Sequence, residues 1–146
     1  MPRLICLLLL TTFMLSCEKD EEENSLADPN TLKVEIDGSE WEAPLSSVSE
    51  TNGVIQVQSF RNSDSSLVEI FFTTQTFGSY PLPSQQNIQL SYSKGDLSWS
   101  TPIDGSVNIL TNQEGNYVGS FRCRLRSDQS TSIKNLRNGS FNYEGP

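Results

Sequence analysis

The chain has 146 residues and a formal net charge of −8, with no His, three Cys, two Ala and 22 Ser. That length suits one ordinary domain, and so little Ala with so much Ser and Thr suits strands and turns over helices. The missing His removes the commonest general base and metal ligand, and the acidic balance excludes a dedicated nucleic-acid binder.

Met1-Pro2-Arg3 opens the chain with one positive charge, and an apolar run follows from Leu4 to Leu15. A helix of that length spans about 18 Å, well short of a bilayer core of about 30 Å, so the run reads as the core of a signal peptide over residues 1–16. Phe13-Met14-Leu15-Ser16-Cys17 resembles the lipobox of bacterial lipoproteins, which implies that Cys17 is acylated and becomes the new N-terminus. Each buried methylene contributes about 0.8 kcal/mol, and two or more acyl chains give stable anchoring. Residues 17–30 then form a linker. Its start, Glu18-Lys19-Asp20-Glu21-Glu22-Glu23, is kept extended by like charges and resembles the acidic export tract of Bacteroidetes surface lipoproteins.

Residues 31–146 carry short alternating runs separated by turn residues, the signature of a single all-β domain. Leu32, Val34 and Ile36 alternate with polar residues before Asp37-Gly38, and Trp41 and Ala43 share the next inward face. Val54–Phe60 and Leu67–Thr73 follow. Ile88, Leu90 and Tyr92 turn at Lys94-Gly95-Asp96 into Leu97, Trp99 and Thr101. Val107 and Ile109 precede a turn cluster at 112–116, and Tyr117 to Leu125 makes the longest alternation. Asn138-Gly139 is the clearest short hairpin signal, leading into Phe141 and Tyr143. The reading is about ten antiparallel strands, with a β-sandwich preferred over a flattened barrel.

The segment Val34 to Ala43, Gly78-Ser79-Tyr80-Pro81-Leu82, the long strand Tyr117–Leu125 and the closing segment Ile133–Phe141 together resemble a family of small Bacteroidetes lipoproteins without an established activity. The resemblance implies a single all-β domain and an envelope location. Cys123 departs from the aromatic residue common at its position.

Few residues are equipped for chemistry. Cys6 leaves with the signal peptide and Cys17 is acylated, so Cys123 has no disulfide partner; it alternates with Phe121 and Leu125 and reads as core. No His or Cys pair exists to hold zinc, copper or iron, and Asn62–Ser66 lacks the spacing of a calcium loop and reads as a hairpin turn. Among the acids, Glu35, Glu40, Glu42 and Glu69 included, nothing singles out a catalytic pair. No metal, cofactor or catalytic residue is assigned, and the chain reads as a non-enzyme.

One constellation points outward. Arg122, Arg124 and Arg126 fall at i, i+2 and i+4, so a strand lines them along one face, with Lys134 and Arg137 following. Such a ladder can grip an anionic glycan or protein through bidentate contacts, or it can pair with acids on neighbouring strands. Trp99, near a strand end, is a further candidate contact. The expectation is an outer-membrane lipoprotein, anchored through Cys17 and displayed at the cell surface as a binding module. The alternative is an accessory subunit of an outer-membrane assembly facing the periplasm.

Overall fold

The computed structural model describes residues 25–84, 87–113 and 115–145. The signal segment 1–16, Cys17 and the acidic tract lie outside the described residues. Nine strands run in chain order: β1 (Thr31–Ile36), β2 (Ser39–Thr51), β3 (Val54–Arg61), β4 (Ser66–Thr73), β5 (Gly78–Pro81), β6 (Gln89–Lys94), β7 (Leu97–Gln113), β8 (Asn116–Ser127) and β9 (Ile133–Glu144). A single 3-10 turn, Asn62–Asp64, joins β3 to β4.

All pairings are antiparallel, in the order β5-β7-β6-β4-β3-β2-β1-β9-β8, and β8 pairs back onto β7. That last pairing closes eight strands into a barrel. β5 is the extra strand: it lies along Ser106–Ile109 of β7, on the edge whose first residues, Leu97–Trp99, carry β6. The all-β reading holds, but the sandwich does not. Alternation reads the same in both architectures, and the choice between them lies in the β7–β8 pairing, which leaves no free edge there.

The strand count falls from about ten to nine because two apparent breaks are bulges. β7 runs unbroken from Leu97 to Gln113, with register shifts against β8 on either side of Thr101-Pro102 and carrying Gly105 in step opposite Cys123. β9 runs through Asn138-Gly139, where Asn138 takes a positive φ of 50° and the register against β8 slips between Phe121 and Cys123. No hairpin forms there. The tight Asn-Gly turn is instead Asn52-Gly53, with φ of 53° and 76°, between β2 and β3.

The barrel interior is filled by side chains, as eight strands of this tilt allow. Trp41, Phe72, Phe141, Leu32, Ile55 and Ile70 are among its fully buried members. Two glycines make room for rings on neighbouring strands. Gly119 faces Phe141 and Gly139 faces Phe121 in register, and a Cβ on either would lie 2.6 or 2.4 Å from the opposing ring. The outer wall carries the charges, with Glu35, Glu40, Glu42, Arg122, Arg124 and Arg126 pointing away from the core. A membrane-spanning barrel has the opposite polarity, apolar outside, so this wall is built to face water.

The residues just before β1 lie against the barrel. Ala27 is buried, its carbonyl accepts a bond from Asn142 Nδ2 at 3.3 Å, and Ser25 Oγ accepts one from Lys33 Nζ at 2.7 Å. Residues 25–30 therefore pack on the outside of β1 and β9.

Candidate anion-binding face

Strict alternation along β8 builds this face: Phe121, Cys123, Leu125 and Ser127 point inward and are buried, while Arg122, Arg124 and Arg126 point outward and are exposed. On one side the ladder meets β7, with Arg122 opposite Ser106, Arg124 opposite Asp104 and Arg126 opposite Thr101. On the other side it meets β9, with Arg124 opposite Asn135 and Arg126 opposite Ile133.

Bulges on both neighbours shape the centre. Gly105 on β7 has φ of +136°, and a Cβ there would sit 2.2 Å from the Arg122 carbonyl oxygen, so only glycine lets β7 approach β8 this closely. The slip in β9 carries Arg137 to the same outer surface. The result is a recess of about 310 Å³ bordered by Asp104 and Gly105 from β7, Arg122 and Arg124 from β8, and Asn135 and Arg137 from β9.

The ladder divides electrostatically. Arg124 is committed to Asp104: its Nε lies 3.0 and 2.9 Å from the two carboxylate oxygens, and its Nη2 adds a third contact. These bonds hold the Asp104 carboxyl below the usual carboxylate range. Arg122, Arg126 and Arg137 form no ion pair among the described residues. Thus the acid-pairing arrangement is realised once, and three guanidinium groups stay open around it. Such groups offer planar, paired donors matched to carboxylate, sulfate or phosphate oxygens.

The remaining candidates are placed elsewhere. Lys134 turns to the barrel end, where its Nζ bonds Asp37 Oδ2 at 2.6 Å and lies 5.3 Å over the Trp99 ring. Trp99 is 5 % exposed, stacked on Tyr92 at 5.5 Å, and donates from Nε1 to Ser132 Oγ at 3.0 Å. With one ring face on Tyr92 and Lys134 over the ring, it packs into the core. β7 enters the barrel at this residue, so its inward side chain is covered by the β8–β9 loop.

Cys123 is buried, and burial, helped by the Asp104 charge, pushes its thiol pKa up to about 12, which keeps it protonated at neutral pH. The Asn62–Ser66 loop is a 3-10 turn whose one acid, Asp64, is taken by Arg61 at 2.7 Å, Lys94 at 3.3 Å and the Ser66 hydroxyl. Among the described residues no cluster of three His, Cys, Asp or Glu could hold a metal ion. Glu69 accepts bonds from Gln56, Gln58 and Ser91, which ties it into the outer face of β3, β4 and β6.

Sequence reasoning found the ladder but missed Asp104, and it named Arg137 without placing it at a shared recess. The former is brought opposite Arg124 by the β7 bulge, the latter to the recess by the β9 bulge. Pro102, Gly105 and Asn138-Gly139 were the available signals, and each reads equally well as a strand end.

No curated protein and no solved structure matches the chain. Residues 28–146 match the DUF6252 domain of unknown function, and the chain belongs to that family.

Proposed function

We propose that the protein is an outer-membrane lipoprotein, anchored through Cys17 and displayed at the cell surface, whose β7–β8–β9 face binds an anionic ligand without turning it over. The observation that carries the binding reading is the set of three exposed guanidinium groups, Arg122, Arg126 and Arg137, that form no ion pair among the described residues of an otherwise acidic chain. Arginines kept only for cross-strand pairing would each bond an acid as Arg124 does, whereas Arg122 and Arg126 face Ser106 and Thr101, and Arg137, opposite Glu35 in register, forms no ion pair with it among the described residues. The ligand class is a sulfated or uronic-acid glycan, whose repeated anionic groups suit arginines spaced along strands. The anchor rests on the apolar run before Ser16-Cys17, and the surface address on the acidic tract after it.

The test is retention of the purified full chain, in detergent, on immobilised heparin and polygalacturonate, with neutral dextran as control. Replacing Arg122, Arg126 and Arg137 together by Ser should abolish retention, and affinity for the parent should fall by about tenfold or more as salt shortens the screening length. Equal retention of parent and triple variant removes the reading. For the anchor, Cys17→Ser should end incorporation of labelled palmitate. For the address, protease should cleave the domain on intact cells only when residues 18–23 are acidic.

A further inference from the structure

β1 is shorter than the two strands it joins. β1 spans Thr31–Ile36 and pairs on one side with β2 up to Pro44 and on the other with β9 up to Asn142. Both neighbours continue past it. Among the described residues, Leu45–Thr51 of β2 pair in strand with β3 alone, and Tyr143–Glu144 of β9 with β8 alone. A recess of about 490 Å³ occupies the place between them, with Leu45, Val48 and Tyr143 on its walls and Glu144 at its rim.

The width of this gap follows from the pairing just below it. Thr31 bridges Pro44 and Asn142, so at that level β2 and β9 stand two strand spacings apart, about 9–10 Å, a lane with the room that one extended chain takes. Asn30 shows that both edges present backbone groups to the lane. Its carbonyl accepts the Leu45 N–H at 2.8 Å, and its side-chain Oδ1 accepts the Glu144 N–H at 3.1 Å. One residue thus does for both edges what the next residue of a longer β1 would do. It then leaves the lane through a positive φ of 59°, and the chain before it runs over the outer wall toward Ser25. Beyond that plug, the tight Asn52-Gly53 turn sets the alternation along β2: Thr51, Ser49 and Ser47 bond to β3, so the N–H and C=O of Val48 and Glu50 point into the lane. The side chains under the lane are apolar. Leu45, Val48 and Tyr143 pack against the core yet stay partly exposed.

We propose that the gap between β2 and β9 is a strand-addition site for an extended peptide of a partner protein, with apolar residues at alternate positions and basic residues at its ends. Main-chain bonds to the free N–H and C=O groups of Val48 and Glu50 on β2 supply affinity, and the apolar side chains complete the core that Leu45, Val48 and Tyr143 leave open. The acids Glu50 and Glu144 at either side select the basic ends. This site is separate from the arginine face and does not depend on it.

The experiment measures fluorescence anisotropy of a labelled peptide of alternating valine and threonine, as long as the free stretch of β2 and ending in lysines, against the full chain in detergent. Saturable binding is expected. N-methylation of the peptide at alternate amides, which removes donors and leaves side chains in place, should weaken it by about tenfold or more. Val48→Pro, which removes a donor aimed at the lane and none used by β3, should weaken it similarly, while Arg122→Ser should leave it unchanged. Equal binding of the N-methylated peptide, or no saturation at about 1 mM, overturns the proposal. So does a dimer of the chain that the peptide fails to dissociate, since the edge would then serve a second copy. Should Val48→Pro fail to fold, the N-methylated peptide alone decides.

Discussion

The two ends of the barrel are finished in different ways. At the end carrying the β1–β2, β3–β4, β6–β7 and β8–β9 turns, each tryptophan is locked by both its ring and its N–H. Trp41 donates to Ser66 Oγ at 2.7 Å and lies 5.2 Å beneath the Arg61 guanidinium, which itself bonds Asp64. Trp99 donates to Ser132, stacks on Tyr92 and lies beneath Lys134, which bonds Asp37. At the opposite end β1 stops short, Leu45, Val48 and Tyr143 remain partly exposed, and two buried oxygens toward that end of β9, Ser140 Oγ and Asn142 Oδ1, have no hydrogen-bond partner. The contrast teaches that stability and openness are distributed along one and the same strands: the sealed end holds the fold, and the other end keeps backbone and apolar surface available.

Breaking the sealed end should have the largest effect. Trp41→Ala removes the largest fully buried side chain and should cost about 3–5 kcal/mol, read as a lower urea midpoint. Ser66→Ala leaves the buried Trp41 N–H unpaired and should cost about 1–3 kcal/mol by the same measurement. The counterpart at the open end, Tyr143→Ala, removes a ring stacked on Tyr117 at 6.0 Å but already partly in water, and should cost only about 1–2 kcal/mol. A Tyr143→Ala loss as large as that of Trp41→Ala would show that the two ends are equally sealed.

Acid should also act on the sealed end. Asp64 is held well below the usual carboxylate range, first by its bonds from Arg61 and then by Ser66. Burial pulls the Asp37 carboxyl up, but the Asn135 backbone N–H and the Lys134 ammonium outweigh it and leave that carboxyl low as well. Carboxylates depressed in the folded state bind fewer protons there than in the unfolded chain. Their contribution is therefore fully present above about pH 4, the unfolded value, and is lost as pH falls through the lower folded values. Urea midpoints measured downward from neutral pH should drop in that window, and Asp64→Asn should flatten the drop.

The smallest effect sharpens the comparison from the other side. Ser140→Ala deletes a buried hydroxyl that has no partner, so it should stabilise the fold by up to about 1 kcal/mol in thermal unfolding. A loss of that size would mean the hydroxyl is satisfied by water.

Much of the fold was legible locally. Alternation located β1, β6 and β8 and chose the inward face of each, including Cys123, and it turned Trp41 inward on β2, because a half-buried strand must separate apolar from polar residues at every second position. Asp37-Gly38 and Gly95-Asp96 turned as their residues suggest. Asn138-Gly139 shows where local reading stops. Its left-handed Asn suits a hairpin or a bulge equally, and the bulge wins because β8 and β1 hold β9 from both sides through that point. Asn52-Gly53 has the same two residues and no such flanking partners, so it turns.

The candidate sites divide along the same line. That Arg122, Arg124 and Arg126 share an outward face, and that Cys123 points inward, was set by the sequence alone, through the two-residue period of a strand. Which arginine Asp104 would neutralise, that Arg137 would join the recess, and that Trp99 would be covered depended on the registers of β7 and β9 against β8. Register and barrel closure are contacts between residues far apart in the chain, and one bulge shifts every residue beyond it. Only the tertiary structure could decide them, and only it shows that β1 ends before its neighbours do.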